Sequence, residues 1–310
     1  MIKTIVTTTI FPPSEAVQKF AKLEDWNVIV VGDKKTPHEL YRNLSNIHYL
    51  TPEYQETTYS ELSQLIGWNC IQRRNLGYIE AIKKGATIVA SVDDDNIPYD
   101  GWGSELYLNK STTCRIHSPV DTNTRVWDPL AATNHNSLWH RGFPLDKIQG
   151  KNNLKMETGT VVPDIQADFW DGDPDVDAIE RLVFQPTCQF EEKNFPFAGS
   201  VMSPFNSQNT FFTRDSLKDF FLFPGVGRMD DIWGSYYCQA KGHTVLYNKA
   251  TVVQERNPHD YLIDFSKETN GYLQNSKLIS DVLENPESIS KYVPESSYKA
   301  LKVYQSYFHA

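Results

Sequence analysis

The first hundred residues alternate between short apolar, β-branched runs and stretches with helical spacing, the pattern of βαβ units that feed a parallel sheet. Residues 5–9 read as a first strand. Pro12-Pro13-Ser14 then stops it and offers an N-cap to a helix over 15–23, where Val17, Phe20 and Ala21 share one face. Residues 28–31 form a second strand closed by Gly32-Asp33, 38–43 a short helix, 47–50 a third strand, and 71–84 a strong helix ended by Gly85. A strand over 87–92 runs straight into Asp93-Asp94-Asp95.

From about 102 to 197 the chain is richer in Asn, Asp, Pro and Trp and periodicity is weak, which reads as long loops with short elements. Regularity returns with helices over 216–221 and 231–241, a strand over 244–247 and helical material to the end. The expected class is α/β: a Rossmann-like mixed sheet flanked by helices, a loop-rich middle and a helical C-terminus.

At 310 residues the chain can bury one large core, and 40% hydrophobic with 22% charged residues is an ordinary globular profile. The net charge of −9 disfavours nucleic acid and anionic membranes, so any phosphate has to be held by a local site. Cys70, Cys114, Cys188 and Cys238 are scattered, without a CxxC pair, and read as reduced buried thiols. No signal-peptide h-region and no membrane-length apolar run is present in the sequence, so a cytoplasmic location without a membrane span is expected.

Three motifs carry candidate chemistry. Asp93-Asp94-Asp95 ends an apolar strand, where open α/β sheets bind ligands, and supplies the hard oxygen atoms a divalent cation needs beside substrate phosphates. Strand alternation places Asp93 and Asp95 on one side and Asp94 on the other. The plain alternative is a solvated acidic turn. Arg73-Arg74-Asn75 opens the preceding helix: two guanidinium groups suit a pyrophosphate and Asn75 a base or ribose edge, against the alternative of surface charge pairs. Gly227-Arg228-Met229-Asp230-Asp231 precedes a helix that Asp230 or Asp231 caps, and a carboxylate there also qualifies as a general base.

Thr8 and Thr9 after the first strand, and Asp33 and Lys35 after the second, complete a pocket suited to uracil, ribose and phosphate. Neither GxGxxG nor a P-loop occurs. The run from Asp171 to Asp177 fails the calcium-loop pattern, with Pro174 and Val176 in place of the turn residues, and reads as a site wall or a capped helix start at Ala178. His259 is a candidate distant metal ligand or an ordinary structural histidine.

Taken together, Thr7 to Pro13, Val30 to Pro37, Arg74-Asn75-Leu76-Gly77-Tyr78, Asp93-Asp94-Asp95-Asn96, Arg141-Gly142-Phe143-Pro144-Leu145, Gly172 to Asp177, Asn206-Ser207-Gln208-Asn209-Thr210 and Asp231-Ile232-Trp233 resemble the STELLO-type glycosyltransferase family. More remotely the chain is similar to the reversibly glycosylated polypeptides, which are UDP-arabinopyranose mutases. The matches keep family order from near residue 5 to near residue 265. His140 stands where the family pattern has Pro, and, unlike in the plant members, no transmembrane anchor is expected.

The resemblance implies a glycosyltransferase-A fold over 1–265, with a nucleotide-binding half to about 100, an acceptor half beyond it, and a helical extension over 266–310. It makes Asp93 to Asp95 the metal and nucleotide-sugar motif; joined to the motif readings above, this gives a UDP-sugar donor, Mn2+ or Mg2+ held by Asp93 and Asp95 with His259, and donor contacts from Thr8, Thr9, Asp33, Lys35, Arg73, Arg74, Asn75, Asp93 and Asp94. Asp173, Asp175, Asn206, Gln208, Asn209 and Trp233 line the sugar and acceptor side, and Asp231, Asp230 and Arg141 are the catalytic candidates. The acceptor, whether glycan, protein or small molecule, stays open, and a homo-oligomer is allowed. The rival readings are a UDP-sugar mutase and a non-catalytic nucleotide-sugar-binding scaffold.

Overall fold

Burial on both faces fixes the first strands. In a computed structural model, which describes residues 1–254 and 260–309, β1 (Lys3–Thr9) sends Val6 into one core and Ile5 into another, and β2 (Asn27–Gly32) does the same with Ile29 and Val31 against Val28 and Val30. Helices cover both faces. Between β1 and β2 lies α1 (Glu15–Phe20), whose first turn Ser14 caps through the Val17 N–H at 3.2 Å. Then come α2 (His38–Arg42), β3 (Ile47–Leu50), α3 (Pro52–Thr58), α4 (Ser60–Ile66), α5 (Arg74–Lys83) and β4 (Ile88–Val92). Gly77 lets α5 lie directly on the sheet, since a Cβ there would run into Val6 and Val31.

The central segment is more regular than its composition predicts. It holds β5 (Asn96–Pro98), β6 (Thr112–Pro119), β7 (Leu154–Val161), β8 (Ile165–Gly172), α6 (Ala178–Phe184) and β9 (Phe197–Gly199). The loop expectation fails there because β8 is buried on both faces and β7 is largely exposed on both, so neither strand alternates. The chain continues through β10 (Asn209–Thr213), α7 (Arg214–Asp219), α8 (Asp230–Ala240), β11 (Val245–Gln254), α9 (Tyr261–Glu284) and α10 (Glu295–Ser306).

The described strands form one mixed sheet in the order β3-β2-β1-β4-β10-β8-β11-β9-β6-β7, with β5 on β11. The left part, β3-β2-β1-β4, is parallel, and β10 adds to β4 antiparallel, with Asn209 opposite Val92. The start of β10 therefore meets the carboxyl end of β4, and this junction positions the site. α9 starts at Tyr261, and Leu278, Val282, Leu301 and Tyr304 from the C-terminal helices share one core with Leu76 and Tyr78 of the first hundred residues. No helix among the described residues is long and apolar enough to cross a membrane.

Candidate functional site

β4 ends at Val92, so the acidic triplet lies in a turn and the strand alternation expected for it does not apply. The turn is stapled to the start of β10: the Asp93 N–H and the Asn96 side chain both donate to the Gln208 carbonyl at 3.0 Å. Each of the three carboxylates has its own partner among the described residues. Asp93 accepts from Arg74 at 2.6 Å, Asp95 from the Gln254 amide at 3.2 Å, and Asp94 is held by Thr9 while burial pushes its carboxyl above the usual range.

Arg74 is itself buried at 1% exposure and also donates to the Ser207 carbonyl at 3.0 Å. Burial opposes its charge, but Asp93, Tyr78 and Asp94 together outweigh it and raise the guanidinium above its ordinary value. Arg74 is thus a strut between α5, the acidic turn and the β10 junction.

The facing wall is built on Arg141. Its guanidinium donates to Asp175 at 2.7 and 2.9 Å, to Asp231 at 3.0 and 3.3 Å, and to the Arg228 carbonyl. Burial alone would raise the Asp175 carboxyl, yet Arg141 holds it well below the usual carboxylate range. Asn206 adds a bond to Asp175 at 2.6 Å and the Ser207 N–H one to Asp231 at 3.1 Å. Asp230 accepts from Gln72 at 2.7 Å. Burial, followed by the neighbouring charge of Asp231, pushes its carboxyl up to about 7.

Neither Asp230 nor Asp231 caps the helix in the expected way. α8 begins at Asp230 itself, with Met229 in the capping position and no side-chain cap, so both carboxylates sit in the first turn, where the helix dipole favours negative charge.

These walls enclose a cleft of about 400 Å³ lined by Asp93, Arg141, Asp175, Gln208, Asp230 and Asp231, all named from the sequence. Sequence reasoning missed Gln72, Ser207, Arg228, Gln254 and Lys267, which also line it. Gln72 stands next to a recognised motif and Ser207 and Arg228 lie inside two others, whereas Lys267 carries no local signal. Lys267 alone among the described cationic residues of the cleft is not ion-paired: Arg141 is shared by Asp175 and Asp231, and Arg228 binds Glu268 at 2.7 Å.

Several candidates serve the framework instead. Arg73 is buried, bonds Gln55 and Ser63 and stacks 3.6 Å from the Trp68 ring, so it faces away from any phosphate in the cleft. Asn75 exchanges both amide bonds with the Leu222 backbone. Asn209 ties Trp102 to the Phe169 carbonyl, and Trp233 is fully buried with its indole N–H on Asn275. Asp173 pairs with Arg181, and Asp177 rather than the aspartates before it caps α6 at the Glu180 N–H. Asp33 accepts from the Asn69 and Cys70 amides and Thr8 donates to the Val31 carbonyl, while Lys35 is exposed after β2. His259 lies outside the described residues. Among the described residues no group of three or more His, Cys, Asp or Glu is arranged to hold a metal ion.

The sheet and its acidic cleft define an α/β protein with a polar cleft at a strand-end junction. No family model matches the chain. Over 254 residues it is 26% identical to the probable glycosyltransferase STELLO2 of Arabidopsis thaliana, and over 255 residues 27% identical to the probable glycosyltransferase STELLO1 of the same plant. Each match takes in 76% of this chain and 33% of the relative, so the chain spans about a third of the length of these curated relatives. The resemblance to the STELLO type expected from the motifs is thus found along three quarters of the chain. Among solved structures, a mannosyltransferase from Pyrobaculum calidifontis in complex with GDP-Man and Mn2+ matches with a TM-score of 0.41 and 12% identity, covering 99% of this chain and 69% of that one. So distant a likeness carries no argument about function.

Proposed function

We propose that the cleft binds a nucleoside-diphosphate sugar, with UDP as the nucleotide, and that the chain is a glycosyltransferase of the A-type fold. The observation that carries this reading is the convergence of Asp93, Gln208, Arg141, Asp175, Asp230 and Asp231 on one cleft at the end of β4. The naming of the Arabidopsis relatives supports it.

In this reading Asp230 is the general base. It lines the cleft, and a carboxyl near 7 can take a proton from an acceptor hydroxyl at neutral pH. Asp231 has a different part: bound to Arg141 and the Ser207 N–H, it positions the wall and holds the Arg141 charge. Lys267 contacts the diphosphate in place of Arg73 and Arg74, which are spent on the framework. The mutase reading loses ground, since every nitrogen of Arg141 already donates to Asp175, Asp231 or Arg228 and none is left to accept a sugar.

The residues at the acidic turn fit a divalent cation, Mn2+ or Mg2+. The Asp93 side chain lines the cleft at 26% exposure and Asp95 adjoins Gln254 on the same wall, giving the one or two carboxylates such an ion takes beside phosphate oxygens. Bound there, the ion would stabilise charge on the departing diphosphate. Calorimetric titration with UDP, with and without Mn2+, tests the reading. Saturable binding that strengthens with Mn2+ supports it, and absence of UDP and GDP binding under both conditions overturns it.

A further inference from the structure

We propose that β7 is a self-pairing edge: two copies of this chain join antiparallel through residues 154–158, about a twofold axis at Met156. Among the described residues β7 is the outer strand of the sheet and pairs with β6 alone. Its middle, Lys155 to Thr158, is exposed, with Met156 at 55%. An open edge of this kind is a template for another strand unless something blunts it.

The backbone fixes which groups are available. The register pairs Leu154 with Pro119, and one step on, the Asn153 carbonyl accepts the Val120 N–H at 3.0 Å. In an antiparallel ladder alternate residues direct both N–H and C=O to the same side. Asn153, Lys155 and Glu157 therefore bond toward β6, and Leu154, Met156 and Thr158 present their groups to the open edge. A twofold at Met156 sets Met156 opposite Met156 and Leu154 opposite Thr158, so outward-facing groups meet each other.

Charge selects this register. With the axis at Met156, Lys155 of each copy stands opposite Glu157 of the other, giving two opposite-charge cross-strand pairs. Moving the axis to Lys155 or Glu157 puts like charges face to face, which destabilises a ladder. Within the chain these two charges have no use of that kind: Ser118 stands opposite Lys155 and Ile116 opposite Glu157. An edge of this length buries less than a standard interface, so the dimer forms in a concentration-dependent way.

Sedimentation velocity over a concentration series of the full chain tests the proposal, with a dimer of twice the 35.5 kDa chain mass expected. Glu157→Lys puts four lysines at the junction and weakens association by about tenfold or more. The swap Lys155→Glu with Glu157→Lys restores it. Thr158→Pro removes an outward N–H and blocks the edge while sparing the bonds to β6. Circular dichroism melting checks that each variant is folded. A wild-type chain that stays monomeric throughout the series overturns the proposal, as does a dimer indifferent to both Glu157→Lys and Thr158→Pro in folded protein.

Discussion

The guanidinium of Arg141 is shared between Asp175 and Asp231, at 2.7 Å and 3.0 Å, and so joins the loop before α6 to the first turn of α8. All three side chains are at most 9% exposed. The arrangement is a closed ion triplet in which one cation meets two carboxylates, and it fixes the wall on which Asp230 stands.

Removing the cation leaves two buried carboxylates uncompensated. Arg141→Ala should therefore cost about 3–5 kcal/mol of stability, and Arg141→Lys most of that, because an ammonium cannot serve both carboxylates in the same plane. Urea unfolding followed by fluorescence measures it. A loss under 1 kcal/mol in Arg141→Ala would assign the triplet little structural weight.

Asp175 gives this wall a pH signature. Its carboxyl lies well below the usual range in the folded protein, so the stability it contributes is present above its ordinary value near 3.8 and is lost as pH falls further. Asp175→Asn should flatten the acid limb of stability against pH. Acid unfolding curves that superpose for wild type and variant would contradict this.

Lys267 separates phosphate recognition from pocket integrity. Lys267→Ala should weaken UDP by roughly 1.5–3 kcal/mol and leave uridine almost unchanged, because the contact is to the diphosphate alone. Isothermal titration with both ligands decides it. Equal losses for UDP and uridine would place Lys267 in general shaping of the cleft.

The two outer aspartates of the acidic turn should differ in a measurable way. Asp95→Asn should reduce the Mn2+-dependent part of UDP affinity. Asp93→Asn should do the same and also lower stability by roughly 1.5–3 kcal/mol, since it strips the counter-charge from Arg74, which is 1% exposed. Paired calorimetry and urea melts on both variants check this, and an unchanged metal dependence in both would remove the metal from this turn.

The left half of the sheet was legible because β1, β2 and β4 are short runs rich in β-branched and apolar residues, separated by segments with helical spacing. The acidic turn and the pair Asp230 and Asp231 were legible as charges gathered at element ends. Their partners were not: nothing near Arg73 announces that Gln55 and Trp68 will claim it, and nothing near Asp33 that the amides of Asn69 and Cys70 will. Those pairings depend on how the segment from 52 to 73 folds back over the end of β2, a tertiary matter. β7 was unreadable for the opposite reason, since a strand with little buried on either face leaves no pattern in its sequence.

Asp230 is the sharpest test of the chemistry. Its carboxyl is raised to about 7 from an ordinary 3.8 by burial and by the charge of Asp231, with Arg141 and Arg228 acting in the opposite sense. A base must be ionised to accept a proton, so turnover should rise with pH and level off above about 7. Asp230→Asn should remove that limb and cut turnover by about 100-fold to 10,000-fold, with UDP affinity nearly unchanged. Stability supplies a second readout with a fixed sign. Between 3.8 and about 7 the folded protein holds a proton that the unfolded chain has released, so this group makes the wild type lose stability as pH rises through that window. The amide cannot ionise, and Asp230→Asn should gain stability relative to wild type at pH 8 compared with pH 4. Turnover that keeps its rise near pH 7 in Asp230→Asn would move the base to Asp231. Retained turnover together with an unchanged stability difference would instead leave Asp230 as a group that merely fills the helix start.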